Sequence, residues 1–83
     1  MKIKSNIAVS DNGFVFNPAS GESFMVNPVG LGMLNMMRKG QSQEQIVAAI
    51  QEDYRAEAMT IERDLLDFVE MMRQYRLLQY DDE

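Results

Sequence analysis

The sequence predicts an α+β domain of winged-helix-like layout, a three-stranded antiparallel β meander followed by three helices. Three observations carry this reading. Turn formers, among them Asn12-Gly13 and Ser20-Gly21, punctuate short apolar runs in the first 26 residues. Asn27-Pro28 then supplies a helix start, since Asn is a favoured N-cap and Pro is preorganised for the first helical position. Beyond it, apolar residues recur at helical spacing.

Each element follows from local chemistry. The first strand runs from Ile3 to Val9, with Ile3, Ile7 and Val9 in one period-two register. Asn12-Gly13 provides the positive φ angles of a hairpin turn, and Phe14-Val15-Phe16 forms the second strand. Asn17-Pro18-Ala19-Ser20-Gly21 reverses the chain again. The third strand is Glu22 to Val26, with Phe24 and Val26 on one face and Ser23 and Met25 on the other. The first helix spans Pro28 to Arg38 and stops at Gly40. Ser42 with Gln45 has capping-box form for the second, whose apolar stripe is Ile46, Val47, Ile50 and Tyr54. The third runs from Glu57 or Ala58 to Tyr75, with Ile61, Leu65, Phe68, Val69 and Met72 facing inward. Leu77-Leu78 packs back on the core, and residues 80–83 read as a frayed end. A chain of 83 residues makes a single domain, residues 1–83.

Composition excludes several functions. The chain has no histidine and no cysteine, which removes the usual general base near neutral pH, the common zinc ligands and any disulfide. Gly30-Leu31-Gly32 lacks the third glycine of a dinucleotide site. The expectation is a protein that is not an enzyme, with no catalytic residue, no metal and no cofactor. Apolar runs are too short to span a membrane and the N-terminus lacks a signal-peptide core, so a cytoplasmic location with no membrane partner is expected. Charge is uneven. Residues 1–43 carry four cations against two acids, whereas residues 44–83 carry four arginines against eleven acids. That second half opposes phosphate backbones, and the third helix offers Glu62, Asp64, Asp67 and Glu70 against only Arg63 and Arg73, where a recognition helix brings Arg, Lys, Asn or Gln to base edges. Winged-helix DNA binding is therefore the alternative reading, and no nucleic acid partner is expected.

The third strand carries the binding signal. Unpaired N–H and C=O groups at a sheet edge invite another strand, and sequences protect such edges with Lys, Pro or bulges. Glu22-Ser23-Phe24-Met25-Val26 contains no Lys and no Pro. An extended peptide can add there, backbone bonds giving affinity and side-chain pockets selectivity. The same edge can pair with its own copy, giving a homodimer or self-associating structural domain. Methionine is abundant, eight in all, and its flexible thioether suits both irregular cores and adaptable surfaces.

The order of these features resembles the PqqD family. The Asp11-Asn12-Gly13 turn, an apolar strand, the Ser20-Gly21 turn and a further strand lead into Val26-Asn27-Pro28-Val29-Gly30, which is similar to the family's Leu-Asn-x-x-Gly. Lys39-Gly40, Ser42, Ile46, Ile50, Tyr54, Asp64, Phe68 and Leu77-Leu78 follow in family order. Members are peptide chaperones, or RiPP recognition elements, which bind the leader of a ribosomally made precursor peptide. They present it to a modifying enzyme, typically a radical S-adenosylmethionine protein. The resemblance implies that the leader adds beside the third strand in a groove against the third helix. Ser23, Phe24, Met25 and Val26 would then wall one side, and Arg63, Leu66, Asp67, Glu70 and Arg73 would offer contacts, with Met71 nearby. Asp64 would orient the leader or pair with Arg63 or Arg73. The sequence departs from the family pattern at Leu34, where Trp is frequent, at Val26, where Leu is frequent, and at Arg76, where Gly would cap the helix.

Overall fold

The computed structural model describes residues 2–79, so the expected fraying of residues 80–83 lies outside the described residues. The expected first strand is two short ones, β1 (Lys2–Ile3) and β2 (Ala8–Val9). A continuous strand with Ile3 and Ile7 on its core face would bury Ser5 between them. The chain turns at Ser5-Asn6 instead, with the Ile7 N–H donating to the Lys4 carbonyl at 3.3 Å. Both isoleucines are thereby buried and both turn residues exposed. β1 pairs antiparallel with the last strand, β5 (Leu78–Gln79), placing Ile3 opposite Leu78. Leu77 and Leu78 pack on the core as expected, with Leu78 held in this second, two-stranded sheet.

The meander itself is β2, β3 (Phe14–Asn17) and β4 (Glu22–Met25), paired antiparallel in that order. Val15 stands opposite Phe24 on the core side, and Phe14 opposite Met25 on the other. Gly13, at φ +90°, allows the first reversal, and a Cβ there would lie 2.4 Å from the Val26 carbonyl oxygen. Only glycine fits this turn without strain. Asn17 is the buried polar residue of β3, and its Oδ1 accepts from the Ala19 N–H at 3.0 Å, which closes the second turn.

Three helices follow, α1 (Pro28–Arg38), α2 (Gln43–Tyr54) and α3 (Ala58–Gln74). Asn27 caps α1, its Oδ1 accepting from the Gly30 N–H at 2.7 Å, and Ser42 and Gln45 form the reciprocal capping box of α2. α1 ends in a Schellman motif with Gly40 left-handed at φ +78°, its N–H donating to the Met37 carbonyl and that of Gln41 to Met36. α3 ends in the same way without a glycine. Arg76 takes φ +60°, its N–H donates to the Arg73 carbonyl, and that of Leu77 donates to Met72. This carries the chain from α3 into β5 and resolves how the helix exits where Arg76 stands.

The core is Val15 of the sheet, Met33, Leu34 and Met37 of α1, Ile46 and Ile50 of α2, and Ile61, Leu65 and Met72 of α3, closed by Leu77 and Leu78. Leu34 is fully buried. Tyr54, expected on the inner stripe of α2, is half-exposed because it occupies the last position of the helix, beyond the packed turns.

Candidate functional site: the open edge of the third meander strand

Register and one hydrogen bond fix which backbone groups of β4 are free. The Val26 N–H donates to the Gly13 carbonyl at 2.8 Å, so Val26 points its backbone groups inward, at the β3 side. Alternation along an antiparallel strand then turns Phe24 and Glu22 inward, opposite Val15 and Asn17. Ser23 and Met25 therefore direct both N–H and C=O outward. β4 is the outer strand of its sheet, and among the described residues no other strand pairs with that side. The edge offers two donors and two acceptors in strand spacing.

Side chains follow the complementary pattern. Phe24 and Val26 pack against the core, and the Phe24 ring stacks on Tyr75 at the end of α3, with centroids 4.6 Å apart and planes 24° apart. Ser23 and Met25 are exposed, Met25 at 62%. On that outer face Met25 neighbours Phe14, and Phe16 lies two residues further along β3, both aromatic rings substantially exposed. The open edge thus borders an apolar sheet face.

Beyond the end of β4, α1 and α3 enclose an open cleft of about 470 Å³. Val29 and Met33 of α1 and Phe68 and Met71 of α3 give it apolar surface, while Asn27, Asp64 and Asp67 add polar groups. Gly30 lets the two helices approach here, since a Cβ would sit 3.2 Å from the Phe68 ring. β4 meets the end of α3 where Phe24 stacks on Tyr75, and the cleft opens between α1 and α3 just past the end of that strand.

The structure distributes the sequence-derived residues over this region. Ser23, Phe24, Met25 and Val26 form the edge strand and its continuation, with Phe24 and Val26 supporting it from the core side. Asp67 and Met71 line the cleft. Arg63, Leu66, Glu70 and Arg73 follow one exposed stripe of α3, together with Met59, on the side away from the buried Ile61, Leu65 and Met72. Arg73 is engaged with Glu70 one turn back, and Arg63 Nε approaches Asp64 to 4.0 Å. Sequence reasoning did not place Asn27, Val29, Gly30, Met33 and Phe68 beside the cleft, or Tyr75 against Phe24. Gly30 carried a usable signal, because a glycine inside a helix often marks a close approach.

Comparison with known proteins now decides the family. The model of coenzyme PQQ synthesis protein D (PqqD) matches residues 13–78. The chain belongs to the PqqD family. A solved structure, TbiB1 in complex with the TbiA(beta) leader peptide, matches with a TM-score of 0.85 at 30% identity, over 95% of this chain and 95% of its own. Lasso peptide synthetase B1 complexed with the leader peptide matches with a TM-score of 0.82 at 20% identity, over 95% and 96% of the two chains, and shows the shared fold. No curated protein matches the sequence at a significant level. Among the described residues no helix is long and apolar enough to cross a membrane.

Proposed function

We propose that this PqqD-family chain binds the leader segment of a ribosomally made precursor peptide as an added strand on β4. The observation that carries the reading is the outward set of N–H and C=O groups on Ser23 and Met25, on a strand that leads into the cleft between α1 and α3. The kinship with TbiB1, a protein solved with a leader peptide bound, supports it. The function is binding and presentation, without turnover. The chain has neither histidine nor cysteine, and the carboxylates near the cleft lie on an exposed helix surface. A modifying enzyme, of radical S-adenosylmethionine or another type, receives the peptide. The exposed Phe14, Phe16 and Met25 support this, because contiguous apolar side chains beside a binding edge suit a protein partner. Holding leader and enzyme together raises the effective concentration of the modifiable segment.

The small contact area implies affinity in the micromolar range, roughly −8 kcal/mol. Amide NMR titration with leader peptides of precursors encoded beside the gene tests the reading. Shifts centred on residues 22–26 and the cleft side of α3 are expected. Shifts confined to α2, or sedimentation showing that the β4 edge is occupied by a second copy, would overturn it.

A further inference from the structure

The cleft past the end of β4 combines two kinds of surface that one side chain can satisfy together. Phe68 and Met71 give it an apolar floor, and Asp64 and Asp67 stand on one wall, three residues apart on the same face of α3. No cation lines it. Arg73 is held by Glu70, Arg63 reaches Asp64 only at 4.0 Å from a highly exposed position, and among the described residues no cation lies within ion-pair distance of Asp67. The one other polar group there, Asn27, has its Oδ1 occupied by the Gly30 N–H.

Two like charges at this helical spacing repel, and the Arg63 contact at 4.0 Å reaches Asp64 alone. A purely aliphatic or aromatic ligand side chain would cover the floor but draw both carboxylates out of water unpaired, which is unfavourable. A lysine or arginine meets both demands, since its methylene stem packs on apolar surface while its head stays at the polar rim. We propose that the bound leader carries a lysine or arginine that enters this cleft, its stem against Phe68 and Met71 and its charged head between Asp64 and Asp67. This specificity rests on the reading that a leader adds to β4. It assigns Asp64 and Asp67 to selection of the peptide, and the backbone of Ser23 and Met25 to holding it.

The test uses a phage-displayed library of random 16-residue peptides, panned against the chain. Binders are then synthesised and measured by fluorescence anisotropy against wild type, Asp64→Asn/Asp67→Asn and Met25→Pro, each checked for folding by circular dichroism. Selected peptides should share a Lys or Arg at one fixed position. The Asp64→Asn/Asp67→Asn pair should weaken them roughly tenfold, as expected for partly exposed ion pairs. Replacing the shared lysine or arginine by norleucine should cost about the same, and the two losses should not add. Binders lost on Met25→Pro but lacking a shared cation and indifferent to the aspartate changes would overturn this inference and leave strand addition standing. Binders indifferent to Met25→Pro would overturn strand addition itself, and this inference with it.

Discussion

A proline at position 25 separates binding from folding, because the Met25 N–H faces away from β3. Its donor makes no ladder bond within the chain, its side chain is exposed, and the preceding Phe24 is already in the extended conformation that a following proline demands. Stability should therefore change little, with Tm within about 5 °C of wild type. Binding should not survive intact. The variant loses one donor to the leader, leaves a leader carbonyl without its partner and places a ring where the added strand must approach. A hydrogen bond removed with one partner left unsatisfied costs about 1–3 kcal/mol, or roughly 5- to 150-fold in Kd. Val26→Pro is the matching control, since the Val26 N–H donates to the Gly13 carbonyl at 2.8 Å. Its loss should cost about 2 kcal/mol and lower Tm by about 10 °C. Fluorescence anisotropy with a labelled leader peptide reads affinity, and thermal unfolding reads stability. A folded Met25→Pro variant with wild-type affinity would refute the assignment of this edge.

Other consequences are simpler to measure. Arg76 pays for a left-handed conformation at φ +60°, so Arg76→Gly should stabilise the domain by about 1 kcal/mol and raise Tm by several degrees. Gly13→Ala should do the reverse, because the new Cβ would meet the Val26 carbonyl oxygen at 2.4 Å at φ +90°; a loss of about 2 kcal/mol or more is expected in urea unfolding. Leu34→Ala empties a fully buried site in α1 and should cost about 2–5 kcal/mol in the same assay.

Much of the architecture was legible in local chemistry. Asn27-Pro28 and Ser42 with Gln45 fix the starts of α1 and α2 through bonds within four residues, and the structure makes both. The two glycine turns set the meander for the same reason. What escaped was non-local. β1 exists because Ile3 pairs with Leu78, a partner at the far end of the chain that no short window contains. The exit of α3 was equally hidden, since its Schellman bonds form although an arginine holds the glycine position.

The candidate site divides along the same line. An unprotected edge strand can be read from the absence of Lys and Pro, and its pleat from alternation. Which of its amides face outward needed the register against β3 and the bond from Val26 to Gly13. Helical periodicity separates the buried face of α3 from the rest but does not say which flank meets the cleft against α1. For that reason Asp67 and Met71 fall beside the cleft, while Arg63, Leu66, Glu70 and Arg73 share the outward stripe. Gly30 and Phe68, far apart in sequence, reveal the flank only once α1 lies against α3.

Amide hydrogen exchange with and without a saturating leader peptide tests strand addition at β4. In the free protein the Ser23 and Met25 amides should exchange quickly, while Phe24 and Val26, bonded inward, should exchange slowly. On adding the peptide, Ser23 and Met25 should become protected and the inward pair should change little. Tight binding that leaves Ser23 and Met25 exchanging at their free rates would contradict strand addition at β4.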